Sequence, residues 1–414
     1  MLVSRFIFVI FKFFVKILYI CLILVEKFLF FLYNKSMKNK PWKQRMNCII
    51  DTDPGVDDAA AFALSLYDDV MDIRLITTVN GNLDVDVVTR NALHILEMFK
   101  RTEIPVVKGA SKPMVRPIKH AMEVHKEHGM GGYIPPKTVK TKPINKSAVD
   151  AMYETIKQYK NNICLILQGP TTNVGELFTK YPEVKLMINH IYYEGCAAWD
   201  SKYEKNWKNY ISFNASCDPD ALKIVVESGI PVTMCPSRMG RELAHFTEEE
   251  VYKMREFNDV GKWLYEMYGG YWERNYKDRR AATNDTCAVL AMRFPKLFKL
   301  KRATVTVDTG DETPGKTVFK WNRKGNVEYA YAVNRKKFHQ LYFNAISKLN
   351  MFNLTEYLDA SNKAKIKEEE NKQLLEGKVV KPKTTKKQSN KTSVKPSNKK
   401  DVNKNSTTKT NSKK

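Results

Sequence analysis

From residue 46 to about residue 300 the chain repeats one pattern, a short apolar run followed by a longer amphipathic stretch, and no other feature constrains its fold as strongly. Strand-length runs fall at Asn47–Asp51, Ile73–Val79, Val106–Lys108, Ile163–Leu167, Ile191–Glu194 and Val232–Cys235, with helical patterns at Asp57–Tyr67, Asp84–Phe99, Ser147–Tyr159, Asn173–Thr179 and Pro219–Ser228 between them. Antiparallel neighbours can be joined by a tight turn, whereas parallel neighbours need a crossover, which a helix supplies. The runs are nearly all apolar, as strands covered on both faces must be. The expected fold class is therefore α/β: a doubly wound, mostly parallel sheet with helices on both faces. A helix-rich segment from Glu248 to Arg293 follows. After it, "RATVTVDTGDETPGKTVFKW" and "NVEYAYAV" predict a C-terminal antiparallel hairpin, and a helix over Lys336–Leu349 closes a domain spanning 46–360.

Charge marks off both ends. The 414 residues carry a formal net charge of +24, which taken whole suggests a nucleic-acid or membrane binder. Its distribution says otherwise. Residues 361–414 hold 17 Lys against 5 acidic residues, residues 1–45 hold 9 basic residues against Glu26, and residues 46–360 keep a net of only +4. The folded part is thus expected to have no specific nucleic-acid partner. Residues 361–414, rich in Lys, Asn, Ser and Thr, bury too little to order themselves and read as a disordered Lys-rich tail, with a tether to RNA or acidic membranes as the rival reading. Residues 1–45 form a hydrophobic and basic extension whose longest uncharged apolar run, Ile17–Val25, has nine residues, against the roughly 20 a spanning helix needs. The extension is a signal, a membrane anchor, or lies upstream of a native start at Met37 or Met46. The last gives a cytoplasmic protein, the others a secretory or membrane-anchored one. Seven Cys without a CxxC pair favour a reducing compartment.

In open parallel sheets ligands bind beyond the carboxyl ends of the strands, and the unusual polar motifs fall at such places. "DTDPGVDD", after the first strand, puts Asp51, Asp53, Asp57 and Asp58 within eight positions. Helix capping accounts for Asp57 or Asp58. It does not account for Asp51 and Asp53, because a carboxylate among carboxylates is driven to protonate unless a cation offsets the charge. Hard oxygen ligands suit calcium, so Ca²⁺ is the expected cofactor. "TTVNGNLDVD" sets Asn80 and Asn82 around Gly81 as a turn or a pocket edge. "LQGPTTNVGEL" offers an N-cap or a carbonyl free to face a metal. "NWKNYISFNASCDPDAL" carries Asn206, Asn209 and Asn214, whose amides both donate and accept and so suit sugar hydroxyls. "AATNDTCAVLAMRFP" places Asn284 and Asp285 before a helical run, as a cap or as a distant carboxylate for the ion. The sequons at Asn214 and Asn284 thus fall in pocket segments, where a glycan would block binding. His125 and His128 in "VHKEHGMGGY" lack further zinc ligands nearby and suggest a mobile loop over the pocket. Arg238 and Arg241 in "CPSRMGRE" read as surface charge, with lid contacts as the rival.

Together these motifs resemble the inosine-uridine-preferring nucleoside hydrolase family, over nearly all of residues 46–349 and including the "VDTGDETPGKTV" hairpin. The resemblance implies a doubly wound sheet holding one Ca²⁺ in a ribose pocket, where an ion-activated water displaces the nucleobase. It implies that Asp53, Asp58, the backbone carbonyl of Thr172 and Asp285 hold the ion. Asp53 would also take the water's proton, and Asp57 would grip ribose hydroxyls with Asn82, Asn206 and Asn214, with Asp285 beside the substrate. A dimer or tetramer is implied as well. The chemistry agrees, since cleaving an N-ribosidic bond builds positive charge on the sugar, which a nest of anions stabilises. Two departures stand out. Ser212-Phe213-Asn214 replaces the family's usual Glu-Phe-Asn, removing a carboxylate contact to the primary hydroxyl. Asn284-Asp285 replaces His-Asp, removing the histidine that protonates the leaving base and leaving His128, Tyr271, Trp272 or Tyr276 as stand-ins. The alternative function is a nucleoside- or ribose-binding protein of the same fold with weakened catalysis.

Overall fold

The structure, a computed structural model, describes residues 46–67, 71–199, 201–207, 209–272, 280–349 and 361–369, with only the backbone for 204, 206 and 270–272. Six strands, β1 (Met46–Thr52), β2 (Met71–Thr78), β3 (Val106–Lys108), β4 (Ile163–Leu167), β5 (His190–Cys196) and β6 (Val232–Pro236), run parallel in the order β3-β2-β1-β4-β5-β6. The chain winds outward from β1 to one edge and returns beside β1 as β4, so the switch point where a crevice opens lies between β1 and β4. The short pair β7 (Phe246–Thr247) and β8 (Arg280–Ala281) stands apart from this sheet. The expected antiparallel strands are β9 (Phe298–Val307), β10 (Thr317–Trp321) and β11 (Val327–Val333). They complete the same sheet, because β11 pairs parallel with β6 and antiparallel with β9.

Strand alternation feeds two cores. Cys48 and Ile50 of β1 pack on one face with α1 (Val56–Tyr67), α2 (Val85–Met98) and residues of the C-terminal third, while Ile49 packs on the other. Successive side chains of a strand point to opposite faces, so a fully apolar run serves both layers. After α3 (Met122–His125), the second face is covered by α4 (Ala148–Gln158), α5 (Thr172–Lys180) and, beyond the short α6 (Phe213–Cys217), α7 (Pro219–Val226). Back on the first face, α8 (Glu248–Met254), α9 (Asp259–Trp272), α10 (Asn284–Arg293) and α11 (Arg335–Ile346) close the layer, with α10 packed against α1.

The short elements α3, α6, β7, β8 and the 3-10 turn at Lys202–Trp207 had no periodic signal in the sequence. Residues 361–365, which by composition belong with the Lys-rich tail, are helical and tied to the main unit: Ile134 N donates to Ser361 Oγ at 2.8 Å, and Lys365 pairs with Glu266 at 2.6 Å. A second unit begins at Ile366 and is described only to residue 369. The N-terminal extension and residues 370–414 lie outside the described residues. Among those described, no helix is long and apolar enough to cross a membrane.

Candidate active site

A cavity of about 500 Å³ opens beyond the carboxyl ends of β1, β2, β4, β5 and β6. The β1–α1 loop is wound tightly enough to turn its carboxylates into place. Gly55 N and Thr52 Oγ1 donate to Asp58 at 3.0 and 2.7 Å, so the loop's own backbone and strand fix that side chain. Asn82, from the β2–α2 turn, donates its backbone N–H to Asp53 Oδ2 at 2.7 Å and its amide to Asp53 O and Asp58 Oδ2, both at 3.0 Å. Only glycine can sit beside it in that turn: a Cβ on Gly81 would lie 2.1 Å from Asp53 Oδ2.

Asp57, Asp58 and Asp285 converge, each with one oxygen within 4.8 Å of the others, and all three are buried. They stand in the first turns of α1 and α10, where helix N-termini favour negative charge. Asn284 Nδ2 holds Asp57 Oδ2 at 2.9 Å. Burial first, then the charges of Asp58 and Asp57, push the Asp285 carboxyl well above its ordinary range. The same causes act on Asp53, which burial and the neighbouring Asp58 raise. Burial and Asp57 push Asp58 up to about 7. Asp53 Oδ1 is buried with no hydrogen-bond partner among the described residues. Charge this concentrated and this dry requires protons or a cation, and the all-oxygen donor set fits a hard divalent ion.

Asp51, the fourth acid of the motif, is spent elsewhere, accepting from Thr77 at 2.6 Å and Asn173 at 2.7 Å. The Thr172 hydroxyl is likewise committed, donating to Asp218 Oδ2 at 2.7 Å. Asn214 lines the cavity and donates to Gln168 O at 2.8 Å and Glu194 Oε2 at 2.9 Å. Asn206 lies in the turn Lys202–Trp207, where its side chain is outside the described residues, as are those of Tyr271, Trp272 and Tyr276. Of the two loop histidines, His125 lines the cavity and His128 does not. Burial, with Arg90, Lys365 and Lys126 near, pushes the His128 ring down to about 4. Arg241 also lines the cavity and reaches Tyr210 Oη at 3.4 Å, so it is not the surface charge expected from sequence.

Glu194 was not anticipated, although a lone acid in the apolar run "HIYYEGC" was a signal. A bulge between Glu194 and Cys196, with Gly195 at φ +128°, ends the regular register of β5, a device that re-aims side chains. Burial and the charge of Asp57 push Glu194 up to about 8. Ser212 does not stand in for it, because its hydroxyl donates to Gly195 O and caps α6 by accepting from Ala215 N.

Residues 48–340 match the family described as inosine-uridine preferring nucleoside hydrolase. The non-specific ribonucleoside hydrolase RihC of Klebsiella pneumoniae subsp. pneumoniae is 34% identical over 275 residues, covering 66% of this chain and 88% of that protein. A purine-preferring ribonucleoside hydrolase from Gardnerella vaginalis aligns in three dimensions with a TM-score of 0.66 and 27% identity, over 73% of this chain and 98% of that one. A plant nucleoside hydrolase, PpNRh1, gives 0.68 at 24% identity over 73% and 99%, a likeness that speaks for the fold. With most of the domain matched and its acidic loops gathered on one crevice, the chain belongs to the inosine-uridine-preferring nucleoside hydrolase family and is a hydrolase acting on N-glycosyl compounds.

Proposed function

We propose that this enzyme hydrolyses the N-glycosidic bond of ribonucleosides to free nucleobase and ribose with Ca²⁺ as its cofactor. The observation that carries the reading is the convergence of buried Asp57, Asp58 and Asp285 on the cavity wall. Asp58 and Asp285 of this group would hold the ion together with Asp53 and the Thr172 carbonyl, two residues outside the cavity lining, and the ion when bound neutralises the nest and acidifies a water. Asp53 is suited to accept the proton of the attacking water, because its Oδ1 has no other partner among the described residues. Asp57, steadied by Asn284, would take ribose hydroxyls together with Asn82, Asn206 and Asn214. Trp207, Tyr210 and Phe213 line the same cavity and offer faces for a planar base. Two imidazoles line the pocket, His120 and His125. His125 Nδ1 accepts from Val56 N at 3.1 Å, which fixes that ring against the start of α1, and either imidazole is a candidate to give a proton to the departing base.

The test is release of reducing sugar from inosine, uridine and other ribonucleosides by the full chain with calcium present; no release from any of them overturns the proposal. Asp53→Ala should lower kcat by about 10²- to 10⁴-fold, the usual worth of a positioned general base, and should weaken calcium binding in calorimetry.

A further inference from the structure

Glu194 lies in a buried strand, where a carboxylate without partners is costly. Its Oε2 accepts from Asn214 Nδ2 at 2.9 Å and its Oε1 from Ser237 Oγ at 3.1 Å, so each oxygen keeps a second lone pair. Beside it stands Gln168, only 1% exposed, with neither its amide nitrogen nor its amide oxygen partnered among the described residues. A buried amide that bonds nothing is unfavourable unless a ligand satisfies it. Both residues line the cavity, and Asn214 ties them together by also donating to the Gln168 carbonyl at 2.8 Å. They extend the polar wall of the cavity beyond the acidic group of Asp57, Asp58 and Asp285, with Glu194 close enough to Asp57 to feel its charge.

A ribose presents a vicinal cis pair of hydroxyls and one primary hydroxyl on a separate arm. Adjacent carboxylates, or a cation they hold, suit the vicinal pair; the primary hydroxyl needs partners of its own. We propose that Glu194 and Gln168 form the subsite for the primary hydroxyl of the sugar, Glu194 accepting its O–H and the Gln168 amide donating to its oxygen. This inference rests on the nucleoside hydrolase reading above, and it makes Glu194 a substrate-binding residue.

The experiment compares uridine with 5′-deoxyuridine. Wild-type enzyme should lose about 10- to 100-fold in kcat/KM when the hydroxyl is absent, as expected for a hydrogen bond to a charged group. Glu194→Met should suffer that loss on uridine and no further loss on 5′-deoxyuridine, bringing the ratio near unity. Glu194→Gln, isosteric and able to keep the bonds to Asn214 and Ser237, should retain part of the preference, and Gln168→Leu should reduce it. In parallel, calorimetry should show wild type binding ribose more tightly than 5-deoxyribose, with the difference gone in Glu194→Met. If the wild type cleaves nucleosides but Glu194→Met keeps the wild-type ratio, or loses equally on both substrates, the subsite is overturned and the hydrolase reading stands. If nothing is cleaved yet the sugar-binding difference vanishes in the variant, the subsite stands and the hydrolase reading falls.

Discussion

Asp53 shows how tightly a single side chain is specified here. One oxygen is gripped by the Asn82 backbone, the other is left without a partner among the described residues, and Gly81 passes so close that a methyl group would strike it. Gly81→Ala should therefore lower kcat/KM by about 10²-fold or more through misplacement of Asp53, with the fold retained by circular dichroism and the unfolding midpoint lowered by the clash; unchanged turnover would show that the turn can yield. The acids of "DTDPGVDD" were legible from sequence because like charges crowded together demand an explanation. Glu194 and Gln168 were not legible in the same way. Each sits in or just after an apolar strand, and which way a residue there faces depends on a local bulge and on neighbours 20 to 46 positions away.

At the scale of elements, the long strands and helices were readable because two faces of a sheet need continuous apolar runs and covering helices need amphipathic ones. Short pieces such as α6 and the β7–β8 pair carry too few residues to show a period, and their positions follow from packing. One such piece has a measurable anchor. Thr247 and Glu250 form a reciprocal capping box at the start of α8, and Glu250 also binds His339 at 2.8 Å and Arg335 at 2.9 Å, both from α11. Burial alone would raise Glu250, but His339 and the Thr247 backbone outweigh it and hold the carboxyl down at about 2. A depressed acid contributes stability that is present above its unfolded pKa and is lost as pH falls through the folded value. Glu250→Gln should thus destabilise the enzyme at pH 6 and matter progressively less toward pH 2. Thr247→Ala should cost about 1 kcal/mol in denaturant unfolding, with kcat/KM unaltered; a change in kcat would tie α8 to the site.

For the whole molecule, the acidic nest sets the dependence of stability on pH and cation. Asp58 and Glu194 are raised to about 7 and about 8, above the values of an unfolded chain. The folded state then binds more protons than the unfolded one between about pH 4 and 8, so the stability tied to these groups is full below that window and lost as pH rises through it. A bound cation would replace those protons. Chelation should therefore lower the melting temperature strongly at pH 8 and only slightly at pH 5, read by scanning fluorimetry with and without EDTA and restored by calcium. Equal shifts at the two pH values would contradict the assignment.

The acidic group also joins distant stretches of chain, since Asn284, which holds Asp57, lies 227 positions after it. As the polypeptide leaves the ribosome, the first two acids emerge long before the third, and the partial nest has neither its last carboxylate nor the amide that steadies it. The group is incomplete until the chain has been made as far as α10, which begins at Asn284, and a fragment cut short before it would carry the six parallel strands without the complete acidic group.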